Sequence, residues 1–247
     1  DEYMRAWVLI HALHRRLGFA GPAPGVIFNM SVGYNMEGLL KPNMQWYLKQ
    51  MADAKEERDR YVALVARHFP GVRDISIPSR MTHNVTLSTM HGCPPNEIEQ
   101  ISEYLINDWN LHTSVKLNPT LLGPERLRSI LNRELGYKEV VVPDLAFEHD
   151  LKYADGVPML RRLRERAAAR GLQFGVKLSN TLEVENRRDV FAAKEKMMYL
   201  SGRALHAVTV NLAAKLAEEF DGGLMMSFSA GADAFNVAEV LSCGVRT

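Results

Sequence analysis

VTLSTMHGCPPNEIEQISEYLINDWNLHTSVKLNPTLLG, residues 85–123, reads as strand, polar loop, helix, strand and loop. Val85, Thr86, Leu87 and Ser88 form a short β-branched and apolar run that stops at the turn-forming His91-Gly92-Cys93-Pro94-Pro95. A helix starts there. Pro95 suits a first helical position because its missing N–H would be unpaired anyway, Glu97 and Glu99 favour the positive end of the dipole, and Ile98, Ile101, Leu105 and Ile106 recur at helical spacing. After Trp109 and His112 the pattern changes to Ser114-Val115-Lys116-Leu117-Asn118-Pro119, a strand with a lysine among apolar residues that ends at a proline. This is a βαβ unit, and α/β proteins place their chemistry in the loops that follow such strands.

Outward from this unit, the chain of 247 residues is long enough to bury a substantial core, and 24% charged with 47% hydrophobic residues is globular composition. The formal net charge is +1 with scattered basic residues, so no nucleic-acid surface is expected. No apolar run approaches a membrane span, no charged-then-apolar leader is seen, and a cytoplasmic location is expected. Cys93 and Cys243 lie far apart and form neither a disulfide framework nor an iron–sulfur ligand set. The chain opens at Asp1 without a methionine and closes where a further βα repeat would begin. It is therefore expected to be one domain, residues 1–247, an internal fragment of a longer multidomain protein.

In order, the spacing predicts a helix over residues 2–17, a strand over 26–31 and one charged helix from Met44 to about His68. Beyond the central unit it predicts a helix over 124–135, a strand over 139–142, a loop at Phe147-Glu148-His149-Asp150 and a helix over 157–170. A second lysine-bearing strand, QFGVKLSN at 173–180, precedes a polar segment, Glu183 to Lys196, expected to be a mobile loop. Ser201-Gly202 opens a helix to Phe220, residues 224–229 form a strand, and a last helix starts near Phe235. Alternating strands and helices indicate a parallel α/β sheet. A TIM barrel is favoured because no dinucleotide GxGxxG follows any early strand.

Three constellations could carry chemistry. Lys116 and Lys177 each stand among apolar residues near a strand end, where a lysine must face a polar ligand or an acid, or else turn outward to a helix carboxylate. Asn35, Ser88, Asn118, Asn180 and Thr181 lie at or just after strand ends; they offer the donors and acceptors a heterocycle edge needs, and also suit plain turns. Ser201-Gly202-Arg203 and Ser229-Ala230-Gly231 are small enough for backbone N–H groups to approach a phosphate. Cys93, at a helix N-terminus where a thiolate would be stabilised, is a candidate acid or nucleophile, or a small residue shaping the turn. His91, Cys93 and His112 lack zinc-ligand spacing, so no metal is expected.

These residues carry a resemblance. TLSTMHGCPPNEIE and VKLNPTLLG, with FNMSVGYN, GVKLSNTL, YLSGRAL and SFSAGA, closely resemble the N-terminal flavin-type barrel of the selenate reductase subunit family, itself similar to the dihydroorotate dehydrogenase-like domain of dihydropyrimidine dehydrogenase. The resemblance spans almost the whole chain from Trp7. It implies a parallel (β/α)8 TIM barrel, incomplete in this fragment, with an FMN site. It places iron–sulfur (4Fe-4S), FAD and NAD(P) modules elsewhere in the longer protein, as electron-transfer partners.

The resemblance also implies roles. Lys116 matches the flavin-contacting lysine, with Lys177 taking that place if the strand register shifts. Asn180 and Thr181 match the substrate pair, with Asn35 and Asn118 beside them, while Ser201, Gly202, Ala230 and Gly231 match the flavin and phosphate loops. The chain departs from the pyrimidine pattern in lacking the asparagine of Asn-x-Ser-Cys-Pro and in carrying Ala230 where the phosphate turn has its first glycine. What is implied is a flavin-dependent oxidoreductase acting on a small organic substrate. The alternative is a flavin-free barrel serving as a scaffold for electron-transfer domains. For proton chemistry, His91 and Cys93 are the catalytic candidates, His91 first because histidine titrates near neutrality.

Overall fold

The computed structural model describes residues 1–88, 91–187, 190–192 and 194–246, so Thr89 and Met90 of the central motif lie outside the described residues. The chain divides into two compact units. One comprises residues 1–30 and 37–84; the other comprises residues 31–36 and the chain from Val85 on.

In chain order, α1 (Glu2–Leu17) leads to β1 (Asn29–Val32), a one-turn α2 (Met36–Leu39), α3 (Pro42–Ala52) and α4 (Lys55–Val65). Then follow β2 (Asn84–Ser88), α5 (Pro95–Asn107), β3 (His112–Leu117), α6 (Pro124–Arg128), α7 (Asp144–His149), α8 (Tyr153–Ala169) and β4 (Phe174–Leu178). The chain continues through β5 (Leu182–Glu185), β6 (Met197–Leu200), α9 (His206–Glu219), β7 (Met225–Phe228) and α10 (Val237–Ser242).

The first unit is helical. Met4, Trp7, Val8, His11 and Ala12 form the buried stripe of α1, and Trp7 Nε1 donates to the Pro78 carbonyl at 3.2 Å. The single helix expected from Met44 to His68 is two. α3 ends at Asp53, whose backbone is extended, and the Asp53 carboxylate accepts the Lys55 N–H at 3.2 Å, starting α4. A residue that competes for backbone hydrogen bonds broke a pattern that periodicity alone ran together.

The strands form a five-stranded sheet in the order β1-β2-β3-β4-β7, of which β3, β4 and β7 lie wholly in the second unit, with β3 parallel to β4 and β4 parallel to β7. Strand alternation sorts its faces. Thr113, Val115 and Leu117 of β3 are buried, while Ser114 and Lys116 are half-buried on the other face. Helix α5 packs against β3, and α8 and α9 pack against β4. Ile98, Ile101, Leu105 and Ile106 of α5 and Met159, Leu160 and Leu163 of α8 are almost wholly excluded from water. Each such side chain contributes about 1.5–3 kcal/mol of transfer free energy, which is what fixes the register of the face opposite. At Gly175 a Cβ would lie 2.7 Å from the Met225 carbonyl oxygen, so only glycine allows β4 and β7 to approach as they do.

Several expectations are corrected. The strand expected at 26–31 starts later, at Asn29, because Val26 and Ile27 are exposed and unpaired with the core. Residues 139–142 form no strand; Val141 offers one carbonyl to the Glu185 N–H at 2.9 Å. The loop expected at Phe147-Glu148-His149-Asp150 is largely helix α7, entered through an extended Pro143. The helix over 124–135 continues from α6 as a π-turn, Ser129–Glu134. The polar segment from Glu183 begins as a strand, since β5 pairs antiparallel with β6 in a separate two-stranded hairpin. Alternation Leu182, Val184 against Glu183, Glu185 carried that signal, and the charges masked it.

Candidate functional site

The half-buried face of the sheet is polar across its width. Lys116 and Lys177 are partners in register, and Lys177 is in turn opposite Ser227. At the other edge Ser31 Oγ and Ser88 Oγ share a hydrogen bond of 3.0 Å. Burial, and then the neighbouring Lys177 ammonium, push the Lys116 amine below its ordinary value.

At the ends of β3 and β4 two asparagines meet. Asn180 Nδ2 donates to Asn118 Oδ1 at 2.9 Å, and the Asn180 N–H donates to the Leu117 carbonyl at 2.8 Å. Thr181, the next residue, lies 3.3 Å from His91 Nε2. His91 Nδ1 faces the Asp150 carboxylate at 3.2 Å, and Asp150 also accepts Thr120 Oγ1–H at 2.7 Å and the Gly92 N–H at 3.2 Å. The Tyr199 ring, from β6, lies 5.5 Å from the His91 ring. Burial works to raise the Asp150 carboxyl, but the hydrogen bonds from His91 and Thr120 outweigh it and hold it below its usual range.

Asn35, His91 and Cys93 share the lining of a cavity of about 150 Å³ with Tyr34 and Glu97. Cys93 Sγ points to Glu97 Oε2 at 3.9 Å. Its thiol is pushed up to about 11 by burial first and by the Glu97 carboxylate second. The helix-dipole argument for a thiolate is therefore outweighed locally, and at neutral pH Cys93 keeps its proton.

The small-residue loops come together around Arg203. Gly231, at φ 78°, lies so close to this backbone that a Cβ would fall 2.5 Å from Arg203 Cα, and Arg203 pairs with Asp233. Ser201 precedes the one-turn helix Gly202–Leu205 that leads into α9, and the buried Ala230 offers its carbonyl to His206 Nδ1 at 3.0 Å.

The structure thus gathers His91, Asn118, Asn180 and Thr181 at one set of strand ends and Cys93 and Asn35 at the cavity beside His91. Lys116 and Lys177 lie on the sheet face; Ser201, Gly202, Ala230 and Gly231 form a separate loop pair. Asp150, Thr120 and Tyr199 were missed. Asp150 stood next to His149 in a segment read as loop, and nothing in a single sequence distinguishes a buried aspartate there from a solvated one.

With this geometry in hand, the family profile described as "Oxidoreductase YgfK, N-terminal TIM-barrel domain" matches residues 1–247. The chain belongs to this family. Its barrel-domain description agrees with the parallel α/β sheet, in which, among the described residues, β1 and β7 do not pair with each other. A curated relative, "Putative oxidoreductase YgfK" of Escherichia coli (strain K12), is 41% identical over 267 residues, as is its counterpart in Escherichia coli O157:H7. The match covers 100% of this chain and 25% of the relative, so the chain spans about a quarter of the length of the curated relatives it matches. Among solved structures, ligand-free dihydroorotate dehydrogenase (DHODH) from Eimeria tenella matches at 15% identity and a TM-score of 0.35, over 78% of this chain and 60% of that one. A likeness at that level leaves the functional reading to the family and to the residues themselves. Among the described residues, no helix is long and apolar enough to cross a membrane.

Proposed function

We propose that this domain is the flavin-binding oxidoreductase barrel of a longer protein and exchanges electrons between FMN and a small organic substrate. The observation that carries the reading is the in-register pair Lys116 and Lys177 on the half-buried, polar face of the sheet. Two ammonium groups side by side repel, and an anion relieves that repulsion. The N1 and O2 edge of a reduced flavin supplies such an anion, and FMN supplies hydride chemistry when bound. Lys116 and Lys177 would hold that edge, Ser201, Gly202, Ala230 and Gly231 the phosphate, and Asn35, Asn118, Asn180 and Thr181 the substrate. His91 manages the proton, while Cys93, whose thiol keeps its own, lines the adjoining cavity. Iron–sulfur, FAD and NAD(P) groups belong to other parts of the longer chain, in a cytoplasmic setting.

The test is the flavin itself. Full-length protein is purified, denatured, and its released FMN quantified by absorbance. One FMN per chain is expected, and loss of one charged contact in Lys116→Met or Lys177→Met weakens FMN binding about ten- to hundredfold. Full-length protein without FMN that also fails to take it up overturns the reading.

A second reading has its own observation. The space beside Gly231 is filled by the Arg203 backbone, and Arg203 is engaged by Asp233, so this glycine serves loop packing whether or not a phosphate binds. A barrel without flavin, serving as a scaffold for the electron-transfer domains, would keep those contacts. The same FMN measurement separates the two.

A further inference from the structure

We propose that Thr181, His91 and Asp150 form a proton relay whose ligand-facing atom is the Thr181 hydroxyl, with His91 acting through it and Asp150 as the positioning residue. The inference deepens the oxidoreductase reading and rests on it for the identity of the reaction, although the relay's geometry stands apart from any flavin.

The polarity of the chain follows from its buried end. The Asp150 side chain is 2% exposed and accepts from the Thr120 hydroxyl and the Gly92 N–H, with His91 Nδ1 3.2 and 3.3 Å from its two oxygens. A carboxylate that only accepts requires His91 Nδ1 to carry hydrogen. In a neutral imidazole Nε2 is then the acceptor, and Thr181 Oγ1, 3.3 Å away, must donate. That leaves the lone pairs of the Thr181 hydroxyl to accept, one residue beyond the Asn118–Asn180 amide pair.

The proton bookkeeping closes without a redox partner. A ligand gives a proton to Thr181 Oγ1 as the Thr181 O–H bond breaks toward His91 Nε2; the product is an imidazolium beside an anionic Asp150. The reverse step returns the proton. Other groups around the ring are placed to support this or stay out of it. Cys93 from the same loop keeps its proton, and Glu97 of α5 is turned to that thiol. His149 of α7 borders Gly92, while Glu183 of β5 is engaged by the Tyr199 hydroxyl at 3.4 Å.

The relay is tested by carbethoxylation of His91 with diethyl pyrocarbonate in the full-length protein at neutral pH, quantified for that residue by peptide mass spectrometry. The reagent attacks the unprotonated ring nitrogen, which the Thr181 hydroxyl covers. Thr181→Val keeps the side-chain shape and removes the donor, so His91 should react about three- to tenfold faster, the equivalent of one hydrogen bond. Thr181→Ser should react as the native protein does. In the Thr181→Val background, Asp150→Asn should slow the reaction again, because the anion behind the ring is gone. Thr181→Ala, read against Thr181→Ser, replaces the valine variant should that fail to fold. Equal rates in native, Ser and Val or Ala proteins overturn the relay. The measurement needs neither flavin nor substrate, so its failure is distinct from failure to find FMN.

Discussion

Lys116 and Lys177 are direct partners across the parallel β3–β4 pair, both half-buried on one face of the sheet. Like charges opposite each other weaken a sheet by up to about 1 kcal/mol, so the pair represents stability given up at a fixed place. The Lys116 amine, held down by burial and then by Lys177, loses its proton sooner on the folded chain than on the unfolded one, whose value is near 10.5. Between those two values the unfolded state binds more protons, so stability rises with pH through that window. Lys116→Met should raise the thermal midpoint at neutral pH and abolish the alkaline rise while lowering FMN uptake. Thermal unfolding at neutral and alkaline pH checks both directions; a variant that is less stable and binds FMN equally well contradicts them.

Cys93 offers a second check. With a thiol pushed up to about 11, its thiolate fraction near pH 8 is about one in a thousand, and alkylation should be correspondingly slow. The rate with iodoacetamide, followed at Cys93 by mass spectrometry, should climb about tenfold per pH unit before levelling near 11. Glu97→Gln removes the second-largest cause and should speed the reaction at pH 8. A plateau near pH 8 would mean that the helix dipole governs the thiol after all.

How much of this was legible beforehand varied with the kind of signal. The βαβ unit from Val85 to Asn118 was readable because its helix and strands follow distinct periods and proline marks two of the boundaries. Pairing of Lys116 with Lys177 was not, since register depends on packing of α5, α8 and α9 against the opposite face. His91 and Thr181 were singled out separately, one as an acid and one as a substrate contact. Only the fold brings them within 3.3 Å, 90 residues apart in sequence. Asp150 was hidden for a different reason: its role is set by burial and three donors from other segments, none of which leaves a local pattern.

Asp150 should govern acid stability. Its folded value is depressed below 3.8 because the His91 and Thr120 hydrogen bonds outweigh burial, so it stabilises the fold above the unfolded value and that contribution fades as pH falls below 3.8. Asp150→Asn should cost about 1–3 kcal/mol at neutral pH, the penalty of leaving buried donors mismatched, and flatten the loss of stability below pH 4. Chemical denaturation at a series of pH values measures it; an unchanged acid slope in the variant would place the titrating group elsewhere.

Gly231 closes the set, because its role can be separated from that of a ligand. Its φ of 78° is rare for side-chain-bearing residues, and an added Cβ would meet Arg203 Cα at 2.5 Å. Backbone cannot move aside as a flexible side chain can, so Gly231→Ala must push the β7–α10 loop away from the Gly202–Leu205 turn. The change should cost about 1–3 kcal/mol through strain and lost packing. Its two consequences diverge by reading. If these loops hold the FMN phosphate, the variant loses flavin at temperatures where the rest of the protein remains folded. If they only pack on each other, the unfolding midpoint falls with no separate flavin release. Parallel melts followed by flavin fluorescence and by circular dichroism on full-length protein distinguish these outcomes, and coincident native-like curves for the alanine variant would remove Gly231 from both roles.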